Sequence, residues 1–114
     1  MENLKDFMLL FRMQQSNQQP TEEQLMAMHQ KWGAYIGNIA AQAKLVSTSR
    51  LGFEGNKIDS SLSVKSGIEI ANNETLTGNM VIKATTLEEA TEIAKGCPIL
   101  AMGGSVEVRN TIPM

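Results

Sequence analysis

The sequence predicts an α+β sandwich of ferredoxin-like type, with its elements in the order β-α-β-β-β-α-β. Three observations carry that prediction. A long amphipathic helix opens on a capping box at Thr21, a shorter capped helix starts after Thr86, and alternating apolar segments lie before, between and after them. Two helices joined by right-handed crossovers to a mostly antiparallel sheet fit this layered arrangement.

The elements follow in order. Asp6–Met13 (DFMLLFRM) predicts the first strand, with Phe7, Leu9, Phe11 and Met13 on one face and Met8, Leu10 and Arg12 on the other. Both faces are largely apolar, so this strand is expected to be central and covered on both sides. Gln14–Gln19 reads as a polar loop that ends at Pro20. Thr21-Glu22-Glu23-Gln24 is a capping box, and the helix behind it is expected to run to about Ala43. At helical spacing Leu25, Met28, Trp32, Tyr35, Ile36, Ile39 and Ala43 fall in one stripe about 100° wide, with His29 at its edge.

Leu45–Gly52 predicts a second strand, with Leu45, Ser47, Ser49 and Leu51 on one face and Val46, Thr48 and Arg50 on the other. Phe53–Ser60 is rich in turn formers, Gly55-Asn56 among them. Leu62, Val64, Ser66, Ile68 and Ile70 then alternate with Ser63, Lys65, Gly67 and Glu69, the pattern of a half-buried strand. Asn72-Asn73 turns the chain into a strand over Asn79–Thr85. In the second helix Thr86 and Glu89 have capping-box spacing, and Leu87, Ala90, Ile93 and Ala94 form the apolar stripe. Lys95-Gly96 and Pro98 stop it, Gly103-Gly104 permits a sharp turn, and Ser105–Arg109 alternates as a closing strand.

Composition bounds the function. A chain of 114 residues makes one domain, residues 1–114, large enough to bury about two-thirds of its unfolded surface. A net charge of −2 and a pI near 5.4 argue against nucleic acid or an anionic membrane as partner. Phe7–Phe11 is far too short to span a bilayer, and Glu2 and Asp6 around Lys5, with no long apolar segment, do not read as a secretory leader. The lone Cys97 cannot form an internal disulfide, which fits a cytoplasmic location. One histidine and one cysteine do not make a standard zinc site, so neither a metal nor a cofactor is expected.

Leu87-Glu88-Glu89-Ala90, Cys97-Pro98 and Gly103-Gly104-Ser105-Val106-Glu107-Val108-Arg109, with Trp32-Gly33-Ala34-Tyr35-Ile36 upstream, form a run that resembles the YCII-related proteins, including the branch named for a DGPF loop. The resemblance implies a homodimer in which two sheets pack face to face, a dimeric α/β barrel, with a possible small-molecule ligand in the cleft between them. The chain departs from that pattern at two places. Ala71-Asn72-Asn73-Glu74 stands where the DGPF loop would fall, and Trp32 stands where another branch has a helical histidine proposed as catalytic, with His29 one turn earlier.

The candidate site residues have two readings each. His29 is the only imidazole, suited to acid–base work near neutral pH, or else an ordinary histidine at the edge of a helix. Trp32 and Tyr35 are core packing or the wall of a ligand pocket. Arg12 and Arg50, both placed on the face of the sheet away from the helices, pair with Glu69 or Glu107 or else bind an anionic ligand. Cys97 is expected to be structural, and Gly103-Gly104 to be turn geometry. These residues lead to a small ligand-binding homodimer; the alternatives are a cofactor-independent enzyme using His29 and a purely structural or interaction module.

Overall fold

The computed structural model describes residues 3–14 and 21–113. The loop expected over 15–19 and Pro20 lie outside the described residues. Strand β1 (Lys5–Gln14) is followed by helix α1 (Glu22–Ala41), β2 (Leu45–Arg50), the short strands β3 (Asn56–Ile58) and β4 (Val64–Ser66), β5 (Glu74–Ala84), helix α2 (Leu87–Ala94), the single-turn helix α3 (Pro98–Ala101) and β6 (Ser105–Asn110). Four strands make an antiparallel sheet in the order β2-β5-β1-β6, an α+β arrangement compatible with the ferredoxin-like type. β3 and β4 pair only with each other, as a separate hairpin.

The centre of the sheet is the β1–β5 pair, where Phe7 faces Ile82, Leu9 faces Met80 and Phe11 faces Gly78. Leu9, Met80 and Ile82 are fully buried, and with Ile39, Ala90, Ala94 and Ile99 they form the core between the sheet and the helices. β1 is central, as its sequence predicts, but its second face is only half-covered: Met8, Leu10 and Arg12 are half-buried within one chain.

Both helix starts follow their sequence signals. At α1 the box is complete, with the Gln24 amide donating to Thr21 Oγ1 (3.1 Å) and the Thr21 amide donating to Gln24 Oε1 (2.9 Å). At α2 only half of it forms. The Glu89 amide donates to Thr86 Oγ1, but the Glu89 carboxylate turns away to accept from Lys44 Nζ (3.0 Å) and the Thr85 hydroxyl. These bonds, the Thr85 hydroxyl first, hold the Glu89 carboxyl below the usual range and tie the end of α1 to the start of α2.

Four expectations need correction. Pro98 does not merely end α2; it occupies the first turn of α3, where a missing amide proton costs nothing. β5 begins at Glu74 rather than Asn79, because Asn72 and Asn73 both take positive φ (53° and 62°) and make a tight hairpin turn that starts pairing at Ala71–Glu74. Phe53–Ser60 contains β3, and Gly55-Asn56 is not the hairpin turn; the chain reverses at Asp59–Ser63, where Asp59 Oδ1 accepts from the Ser61 and Ser63 amides. The stretch from Leu62 to Ile70 is not half-buried: β4 covers only three residues, and of the five alternating positions only Ile68 is shielded at all.

β2 carries a fifth and more consequential correction. A bulge at Val46 separates Leu45, opposite Ile82, from Ser47, opposite Val81. Beyond it Thr48 faces Met80 and Arg50 faces Gly78, so Thr48 and Arg50 lie on the helix side of the sheet, not the far side.

Two stability predictions follow from this packing. A Cβ on Gly104 would lie 2.7 Å from both the Arg12 carbonyl oxygen and the Ile99 side chain, so Gly104→Ala should cost roughly 1–3 kcal/mol in urea denaturation. Cys97 is buried, which pushes its thiol from 9.0 up to about 11. The unfolded thiol therefore loses its proton first, and the stability it contributes, complete below pH 9, is lost as pH rises towards about 11. Cys97→Ala should flatten the fall in unfolding free energy across that window, and an unchanged slope would exclude the thiol as its source.

Candidate functional site

α1 is held unevenly along its length, and the site follows from that. Its C-terminal end is anchored by Ile39, the one buried residue of the helix. Towards the N-terminus its apolar stripe comes progressively free: Ile36, Trp32 and Met28 are half-buried and Leu25 is 39% exposed. Beneath this half of the helix lies a cavity of about 450 Å³, within the usual range for small-molecule sites.

The roof is Leu25, Met28, His29, Trp32, Gly33 and Ile36 of α1. Phe11 and Met13 of β1 and Thr77 and Gly78 of β5 make the floor, where the bare Gly78 lets the β2 backbone at Ser49 come close. β2 from Thr48 to Arg50, with Leu51 and Phe53 beyond it, forms one wall, and Ile99 and Met102 the other. Trp32 meets Phe11 edge to face, with ring centroids 5.4 Å apart, and so joins roof to floor. Three methionines among apolar and aromatic side chains give walls that adapt their shape easily.

Few polar groups in this lining are available to a ligand. The Thr48 and Thr77 hydroxyls donate to the backbone oxygens of Asn79 and Phe11. Arg50 has no ion pair and no side-chain hydrogen bond among the described residues. His29 lines the roof without a carboxylate to orient it among those residues. The arrangement is an apolar slot with one unengaged guanidinium and one imidazole.

The sequence candidates therefore divide. Trp32, Arg50 and His29 come together at the cavity. Tyr35 does not line it: its ring packs edge to face on Trp32 (6.1 Å), and its hydroxyl donates to the Ile93 carbonyl (2.8 Å), clamping α1 to α2. Burial first, and the nearby Cys97 second, raise the Tyr35 phenol well above its ordinary value, so it stays a neutral donor. Arg12 lies on the opposite face of the sheet, where Nη1 bonds Glu107 Oε1 at 2.8 Å and Arg109 approaches the second oxygen at 3.7 Å. Of the two partners considered for Arg12, Glu107 is the one in place; Glu69 pairs with Lys57 on the separate hairpin.

Sequence reasoning missed Phe53, Gly78 and Met102 as lining residues. Gly78 had a signal, since an isolated glycine inside a strand marks a close approach; its Cβ would meet the Ser49 carbonyl oxygen at 2.8 Å. Among the described residues no three His, Cys, Asp or Glu side chains gather to hold a metal ion, and no helix is long and apolar enough to cross a membrane. No protein-family model matches the chain, and no curated protein matches it either.

Proposed function

We propose that this chain is a small-ligand-binding protein that holds a largely apolar molecule bearing an acidic group beneath α1, and that it works as a homodimer. The single observation that carries the ligand reading is Arg50. Arg50, exposed and in the lining of an apolar cavity, has no ion-pair partner among the described residues of its own chain, so its guanidinium is free to make a forked, charge-assisted contact to a carboxylate or phosphate. Trp32, Phe11 and the methionines supply the apolar surface for the rest of the molecule. The resemblance to the YCII-related proteins implies a ligand between two sheets; the cavity of the single chain supports the helix side instead.

The dimer reading rests on the open face of the sheet. Met8, Leu10, Leu76 and Val81 are half-buried there, interrupted by Asn79 opposite Leu10 and flanked by the Arg12–Glu107 and Lys83–Asp6 pairs. A second sheet packed on this face would bury them, as in a dimeric α/β barrel. Light scattering at micromolar concentration is expected to give twice the 12.5 kDa chain mass.

A cofactor-independent enzyme using His29 is the second reading, favoured by the place of His29 in the cavity roof. It would need a partner for the imidazole from the substrate itself, since Tyr35 is engaged with Ile93. A purely structural module would leave the cavity without an occupant.

A thermal-shift panel of aromatic and aliphatic carboxylates, each beside its neutral amide, tests the ligand reading. A bound acid at about 100 times its dissociation constant should stabilise the protein by about 2.7 kcal/mol. Arg50→Met should lose most of that gain for acids and little for amides. Gly33→Leu, which adds a side chain where a Cβ meets open space, should abolish both. Quenching of Trp32, the only tryptophan, reports entry directly. Acids that stabilise wild type and Arg50→Met equally would remove Arg50 from the site, and no shift with any compound would remove the ligand reading itself.

A further inference from the structure

The lining of the cavity is graded in exposure, and the gradient gives it a direction. Phe11, Gly78 and Ile99 are buried, and Trp32, Ile36 and Met102 are half-buried. The exposed part of the lining is confined to two stretches. One is Leu25, His29 and Gly33 on α1, and the other is β2 from Thr48 to Arg50 with Leu51 and Phe53 beyond it. The cavity therefore opens between the N-terminal half of α1 and the end of β2. Helix geometry agrees. At about 100° per residue, His29 and Gly33 fall on one flank of the apolar stripe and Tyr35 on the other. The Tyr35 hydroxyl bonds the Ile93 carbonyl, which turns its flank to α2 and leaves His29 and Gly33 facing the β2 side.

The polar groups follow the same gradient. Arg50 and His29 both stand at the mouth, and the described lining residues include no carboxylate, no ammonium group and no second guanidinium. Further in, the Thr77 hydroxyl is engaged with the Phe11 carbonyl oxygen. No buried side-chain nitrogen or oxygen of the described residues lacks a hydrogen-bond partner. The inner end thus has no free polar side chain to offer a ligand, and a charge placed there would be desolvated without compensation.

We propose that the cavity takes a one-headed amphiphile, a monocarboxylic acid with an unbroken apolar tail, bound with its head at the mouth and its tail against Phe11 and Ile99. This rests on the ligand reading above and adds the class of acid and the direction in which it lies. Arg50 takes the carboxylate in its fork, and His29 on the opposite rim offers the head a further ring nitrogen. One guanidinium matches the single charge of a carboxylate better than the higher charge of a phosphate monoester. Met13, Met28 and Met102, unbranched and adaptable, let the tail bend as it enters. A second acid at the far end of the ligand is excluded, since it would exchange water for apolar walls.

The test titrates the wild-type protein with four probes and follows the fluorescence of Trp32, the only tryptophan. They are decanoate, the dicarboxylate of the same chain length, and decanoates brominated either beside the carboxylate or in the middle of the tail. Trp32 packs on the buried Phe11 and so lies inside the mouth. The dicarboxylate should bind about tenfold or more weakly than decanoate. Bromine quenches on contact, so the tail bromide should quench Trp32 more deeply at saturation than the bromide beside the carboxylate. A dicarboxylate that binds as well as decanoate, or quenching that is equal or reversed between the two bromides, would overturn the direction. The ligand reading would then still stand wherever Arg50→Met weakens decanoate. A protein that binds other acids but not decanoate would overturn the class proposed here alone, and one that binds no acid would overturn both readings.

Discussion

The pairing of β1 with β5 is the constraint on which the rest of the chain depends. It is the longest strand pair in the protein, and it places Phe7, Leu9, Phe11, Met80 and Ile82 in one plane beneath the helices. α2 and α3 settle on this plane through small or compact side chains, Ala90, Ala94 and Ile99, which let their backbones come close. α1 instead meets it through Trp32, Ile36 and Ile39, and the large ring of Trp32 keeps the N-terminal half of the helix off the sheet. The cavity is the result. It exists because one helix is held close to the sheet at one end only.

The two arginines show why position on a strand does not settle a residue's role. Arg12 and Arg50 read alike in sequence, each a cation among apolar strand residues. On β1, next to β6, the antiparallel register brings Glu107 within hydrogen-bond reach of Arg12, and the pair remains partly solvated at the sheet surface, where such pairs contribute little to stability. Arg50 is on the outer strand β2, which has a neighbour on one side only, and across from it is Gly78. No acid of the described chain reaches it. What distinguishes the two is the presence of a neighbouring strand with a glutamate at the right register.

The fold was largely legible where the signals are local. Both N-caps, the central place of β1 and the apolar stripe of α1 can be read directly from residue type and spacing. The bulge at Val46 could not, because Leu-Val-Ser-Thr-Ser-Arg has too little hydrophobic contrast to fix its register, and one extra residue exchanges the two faces. That single shift moved Arg50 from the expected far face to the cavity. Half of the candidate site was visible, in Trp32, His29 and Arg50, although Arg50 was placed on the wrong side. Phe53, Gly78 and Met102 were not visible, since a cavity wall built from three elements is a tertiary fact with no local pattern.

The β3–β4 hairpin is a different kind of discrepancy, in which the pattern is sound and the burial is missing. Ile58 and Val64 lie on one side with Asn56 and Ser66, and Lys57 and Lys65 on the other. Within one chain the side with Ile58 and Val64 is wet. Burying a large aliphatic side chain is worth roughly 1.5–3 kcal/mol, so leaving several exposed on a short hairpin forgoes as much as many domains have in total stability. A thin molecule has little interior of its own. The cavity and the hairpin are not separate features. Phe53 belongs to both, as a wall of the first and the root of the second.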